Sequence, residues 1–153
     1  MKNIEHISGN NNYTAINIGS LAKLAEHSII HPKSGQEVEG KVFLKNASNA
    51  TGTEISFQIL PPKTELPYFH IHTQNEETYI ILKGSGDFQV DDDCFPISEG
   101  SVIRISPKSK RGLRNSSDEL MMYMVIQSKE GSLQQWSSDD GERVDCEPKW
   151  KKK

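Results

Sequence analysis

Residues 68–90, Tyr68-Phe69-His70-Ile71-His72-Thr73-Gln74-Asn75-Glu76-Glu77-Thr78-Tyr79-Ile80-Ile81-Leu82-Lys83-Gly84-Ser85-Gly86-Asp87-Phe88-Gln89-Val90, decide the reading of this chain. His70 and His72 stand two residues apart, and side chains two apart on an extended strand share a face. A glutamate from the adjoining segment, Glu76 or Glu77, completes a set of two imidazoles and one carboxylate. Such a set holds a divalent metal and leaves coordination positions open for water or substrate. Thr78 to Leu82 reads as a strand, and Gly84-Ser85-Gly86 as a tight turn into a further strand over Asp87–Val90.

Working outward, the same grammar of short strands and turn residues continues. Ile55, Phe57 and Ile59 alternate with Ser56 and Gln58, the pattern of a half-buried strand, which Pro61-Pro62 ends. Val42-Phe43-Leu44, Tyr68–His72, Cys94–Ile97 and Val102–Ile105 read as further strands. Asp91-Asp92-Asp93 and Ser98-Glu99-Gly100 are turns, and Pro107–Lys110 is a polar loop. Leu120–Gln127 is the longest apolar strand. Upstream, Ser20 caps a short helix through Leu21, Leu24 and Ala25, and residues 31–35 form a turn. Many short strands punctuated by Gly, Pro and Asp specify an all-β sandwich or barrel.

The spacing His-x-His, four residues, Glu, six residues, Gly resembles the first signature of the cupins. These are small β-barrels of the double-stranded β-helix or jelly-roll type that often carry a metal. Both gaps pick out Glu77 over Glu76, so the resemblance implies His70, His72 and Glu77 as metal ligands, with zinc, nickel, iron or manganese as the ion. Tyr79 shares the strand face of Glu77, and Gln74 joins it as a candidate for contact with a small-molecule substrate. Tyr68, Phe69, Met122 and Met124 are either pocket wall or core packing.

The resemblance weakens in the second signature. Residues 100–107, Gly100 to Pro107, fit its first part and Asn115 fits its end. Arg111 stands where the family usually supplies a third histidine, and a guanidinium keeps its proton and cannot ligate a metal. Either the three remaining ligands bind a metal with more open positions, or the barrel is a metal-free binding or assembly module. Arg111 either turns inward to pair an anionic small molecule or adds one more surface charge to the run Lys108-Ser109-Lys110-Arg111, with Arg104 and Arg114 as rival cations.

The resemblance spans about residues 40–128, within a single domain expected over 1–153: a barrel with a short N-terminal helix, an N-terminal arm and a C-terminal tail. The tail, with Trp136 and Trp150 as isolated anchors, is expected to pack across the barrel or against a second subunit. Small bacterial cupins are commonly dimers, so the resemblance implies a homodimer. By resemblance the activities span isomerases and dioxygenases, and no catalytic residue is assigned. A formal charge of -3 offers no general attraction to nucleic acid or an anionic membrane. The absence of a secretory pattern and of a membrane-length apolar run points to the cytoplasm. Cys94 and Cys146 form no CxxC pair, so a disulfide framework or zinc knuckle is not expected.

Overall fold

The computed structural model describes residues 2–32 and 34–150. Among them the chain forms β1 (Glu5–Asn10), β2 (Tyr13–Asn17), a 3-10 helix (Leu21–Glu26), β3 (Ser28–Ile30), β4 (Glu37–Glu39) and β5 (Lys41–Phe43). A single helical turn (Lys45–Ser48) precedes β6 (Thr53–Leu60) and β7 (Thr64–Glu65). There follow β8 (Asn75–Lys83), β9 (Ser85–Val90), β10 (Asp93–Ser98), β11 (Val102–Ile105), β12 (Arg111–Asn115) and β13 (Met121–Lys129). No helix of the described residues is long and apolar enough to cross a membrane.

Two antiparallel sheets make the barrel. One has the order β11-β8-β13-β6-β5, and the other β10-β9-β12-β7. Non-sequential neighbours such as β8-β13-β6 mark the jelly-roll winding, which joins strands distant in sequence. Leu60, Tyr79, Ile81, Met121 and Tyr123 from the first sheet pack against Phe88, Ile97 and Leu113 from the second, closing one end of the interior. Gly84 turns β8 into β9 at φ 85°, and a Cβ there would lie 2.9 Å from the Leu120 carbonyl oxygen. Glycine satisfies both constraints.

A second core lies on the outer face of the five-stranded sheet. Leu24, Val42 and Met122 are buried there, with Ile4, Ile18, Phe57 and Ile59 packed around them. This reverses the expected orientation of β6. Ser56, Gln58 and Leu60 are its buried residues and face the barrel, while Ile55, Phe57 and Ile59 are only partly buried. The sequence alternation was real, but the N-terminal segment covers the apolar face that would otherwise have to be the barrel's inside. The unbroken apolar run of β13 has the same cause, since both of its faces are covered.

The expected short helix exists as a 3-10 turn, with Ser20 Oγ accepting from the Ala22 N–H. The N-terminal arm is a two-stranded ribbon, β1 with β2. The 31–35 turn joins β3 to β4, and its Lys33 lies outside the described residues. The Tyr68–His72 segment departs from expectation: it carries one isolated bridge, His70 with Arg111, rather than a ladder. Pro67 supplies no N–H, so pairing with β12 lapses after Leu66 and resumes only at His70. The C-terminal tail does not pack across the barrel either. From Gly131 to Trp150 nearly every residue is exposed, Trp136 at 83% and Trp150 at 85%.

Candidate metal centre and cavity

The site begins with parity on β8. Glu77, Tyr79 and Ile81 point into the barrel, and Glu76 and Thr78 point away. Cross-strand registers extend this inner face into rows. Glu77 pairs with Gln127 and Gln127 with Glu54; Tyr79 with Val125, Val125 with Ser56 and Ser56 with Phe43; Ile81 with Tyr123, Tyr123 with Gln58 and Gln58 with Lys41. Down the strands the inner face therefore begins with a polar row, Glu77-Gln127-Glu54, and ends with one that runs from apolar Ile81 to polar Gln58 and Lys41. The polar end opens into a cavity of about 500 Å³, within the range of small-molecule sites. The β3–β4 hairpin also lines it, through Ile29, His31, Gln36 and Val38.

His70 and His72 approach Glu77 from the segment that crosses the barrel mouth. One imidazole nitrogen of each and one Glu77 oxygen lie within 4.8 Å of one another. His72 Nε2 is 3.0 Å from Glu77 Oε1, and His70 Nε2 is 3.9 Å from Glu77 Oε2. The two rings stand edge to face at 5.3 Å, continuing a series through Tyr68 to His31. Gln127 Nε2 is 3.2 Å from His72 Nδ1, so the amide holds the far side of that ring.

Arg111 is 1% exposed and sits behind the carboxylate. Its Nη2 and Nε donate to Glu77 Oε2 at 2.6 and 3.1 Å, and Nη1 donates to the carbonyls of His70 and Ser109 at 3.3 Å each. The Tyr79 hydroxyl also donates to Oε2, at 3.1 Å. Burial pushes the Glu77 carboxyl up, but the hydrogen bonds and charge of Arg111 outweigh it and hold the group below its ordinary range. Burial, reinforced by the Arg111 charge, lowers the His70 imidazole to about 4. Burial followed by the Glu77 charge raises the Tyr79 hydroxyl, so it stays a donor. At neutral pH the site thus holds an ionised carboxylate and a neutral His70.

A divalent ion fits these residues. One nitrogen of each imidazole and an ionised carboxylate converge within 4.8 Å, a donor set that divalent ions take. Arg111 and Tyr79 are both on Oε2, which leaves Oε1 with His72. His70, His72 and Glu77 Oε1 are the donors available.

The structure brings together His70, His72, Glu77, Tyr79 and Arg111, and distributes the remaining candidates elsewhere. Gln74 is exposed and outside the cavity wall; its main-chain carbonyl accepts from Glu130 N–H. Arg111 is inward, not a surface charge, yet it touches Glu77 rather than the cavity space, with four of its five N–H donors spent inside the protein. Arg104 pairs with Glu76 on the outer face and Arg114 with Asp87. Met122 packs in the outer core. Sequence reasoning missed Lys41, Gln58 and Gln127, which line the cavity. Of these only Gln58 carried a local signal, the parity of β6, where the alternation favours Ile55, Phe57 and Ile59 as the buried face.

A cupin-domain family model matches residues 56–127. A cupin protein from Bacteroides fragilis is 36% identical, with the match covering 68% of this chain and 88% of that one, at a TM-score of 0.66. A predicted oxalate decarboxylase from Thermotoga maritima is 23% identical over 67% of this chain and 90% of that one, TM-score 0.56. A sugar phosphate isomerase from Silicibacter pomeroyi is 14% identical over 67% and 68%, TM-score 0.55. The last two share the fold alone. No curated protein matches the sequence significantly. With the signature residues at the barrel mouth and a relative this similar over most of both chains, the chain belongs to the cupin superfamily.

Proposed function

We propose that this cupin binds a divalent metal through His70, His72 and Glu77 and takes a small anionic molecule into the adjoining cavity. The observation that carries the reading is the convergence of three donors within 4.8 Å on the wall of a cavity of about 500 Å³. Two of the structural neighbours are named for chemistry on small anions, a sugar phosphate and oxalate, which agrees with that ligand class.

Each residue has a separate task. Glu77 offers Oε1, and Arg111 and Tyr79 fix the carboxylate's orientation through Oε2. His70 keeps a free lone pair at neutral pH because its imidazole is held near 4. When the Nε2 of His72 ligates, its Nδ1 carries the proton, and Gln127 holds it by presenting the amide oxygen in place of the nitrogen. A bound divalent ion with three protein ligands supplies Lewis acidity at its open positions or, as iron, a place for dioxygen. Isomerisation or oxidation of the bound molecule is the reaction class that suits this arrangement.

One observation favours a second reading. The Arg111 guanidinium already neutralises Glu77, which weakens the pull of the site on a cation and suits a metal-free binding module. Elemental analysis by inductively coupled plasma mass spectrometry separates the two. Near-stoichiometric metal is expected in the protein as purified or after reconstitution, and His70→Ala and His72→Ala should each remove most of it. Full metal content in both variants would sink the three-ligand site; no metal in the unmodified protein even after reconstitution would establish the metal-free module.

A further inference from the structure

Lys41 is the one cavity-lining lysine among the described residues, and no carboxylate lies within 4.0 Å of its ammonium there. It occupies the edge strand of the five-stranded sheet and faces the barrel interior, because Val42 beside it is buried in the outer core. Its ammonium lies over the Phe43 ring, 4.9 Å from the centroid, and makes no hydrogen bond to a described residue. The two acidic residues on the cavity wall are committed elsewhere. Glu54 Oε1 accepts the Leu44 and Lys45 N–H groups at 2.9 Å, and Glu77 is taken up by Arg111, Tyr79 and His72. Burial lowers the Lys41 ammonium, with the more distant Glu77 charge opposing it.

A half-buried cation without a counter-charge is unfavourable unless something from solution supplies one. Arg111 cannot serve, since four of its five N–H donors are spent inside the protein and it stands behind the cavity wall. Lys41 lies three strands from Glu77 in the sheet order β8-β13-β6-β5 and in the row of Ile81, four residues along β8. About 14 Å across the strands and about 13 Å along them therefore separate the two positions on the sheet, while both side chains line the same cavity. Gln58 and Ser56 are its polar neighbours on that wall, and Phe43, Val125 and Tyr79 supply apolar surface between the two ends.

We propose that Lys41 is the anion-recognising residue of the cavity, pairing the carboxylate of a small molecule whose other end reaches His70, His72 and Glu77. The assignment rests on the cavity being the ligand site, as argued above. A single cation and neutral polar neighbours match one negative charge, which favours a carboxylate over a phosphate dianion.

The test is a thermal-shift and calorimetric titration of the metal-loaded protein with a short series of probes: malate, 2-oxoglutarate and benzoate, their neutral amides, and inorganic phosphate. At least one carboxylate should raise the melting temperature while its amide does not. Lys41→Met should weaken that carboxylate about tenfold or more, and Lys41→Arg should retain it. Metal content of Lys41→Met should equal that of the unmodified protein, so loss of the carboxylate effect is distinguishable from failure of the metal site. Unchanged carboxylate affinity in Lys41→Met overturns the proposal. Binding of phosphate alone, or of no anion at all, overturns it too.

Discussion

Glu76 and Glu77 are neighbours on β8, yet they belong to different physical worlds. Each is paired with an arginine. Glu76 Oε2 accepts from Arg104 Nε at 2.8 Å on the outer face, with 48% of the arginine side chain exposed. Glu77 accepts from Arg111 inside the barrel, where 2% of the arginine and 8% of the glutamate side chain are exposed. The period of two along a strand separates the pairs, and solvent sets their energies. An exposed pair gains little, because water and side-chain entropy offset most of the attraction. A buried pair gains little net over an apolar pair of the same shape, but breaking it strands a charge. The same two residue types thus make a surface ornament on one face and the fixed support of a functional carboxylate on the other.

Breaking the buried pair should have the largest effect. Arg111→Met leaves Glu77 buried with Tyr79, His72 and a neutral His70 but no close cation, and should cost about 3–5 kcal/mol, or about 6–20 °C in Tm. Thermal and urea unfolding measure it. The double variant Glu77→Leu/Arg111→Met sharpens the comparison: it should be more stable than Arg111→Met alone and bind no metal. A single variant as stable as the unmodified protein would mean that the pair is not buried as described.

How far the sequence carried this difference is visible in the same residues. The signature gaps chose Glu77 over Glu76, and parity on β8 then placed Tyr79 beside it; both readings agree with the orientation of that strand. Local chemistry was enough because strand alternation is a local property. Parity failed on β6, where choosing the inner face required knowing that Leu24, Ile4 and Ile18 cover the apolar one. That is a long-range fact, and it hid Lys41, Gln58 and the polar cavity wall. The β12 strand was missed because Arg111-Gly112-Leu113-Arg114-Asn115 lacks a strand's composition; its partner β9 makes it one. Arg111 was placed inward by the family spacing, but only coordinates show its donors turned onto Glu77 and two carbonyls.

Acid should weaken the inner pair's surroundings by an intermediate amount. His70 has an ordinary value of 6.5 and is held at about 4 in the fold. Below 6.5 the unfolded chain takes up a proton that the folded one resists, so stability is fully present above 6.5 and falls as pH drops toward 4. Glu77, held below 4.5, adds a loss of the same sign at lower pH. With 31% of the His70 side chain exposed, solvent screening reduces the effect to about 1–2 kcal/mol between pH 7 and 4.5. Urea unfolding of the chelator-treated protein at the two pH values reads it. The difference should shrink in His70→Ala; an equal difference in that variant would assign the acid sensitivity to another group.

The outer pair should give the smallest effect. Arg104 also reaches Glu130 and the Ser106 hydroxyl, so it links β11 to the ends of β8 and β13 rather than making one isolated contact. Even so, Arg104→Met exposes Glu76 and Glu130 to water, which solvates them at little cost, and the loss should stay under about 1 kcal/mol and shrink further in 0.5 M salt. Metal content should not change, because Glu76 and Glu77 face opposite sides of the strand. A loss comparable to that of Arg111→Met would show that the network of two carboxylates and one hydroxyl around Arg104 holds the sheet register itself. In that event burial would no longer be what separates the two pairs.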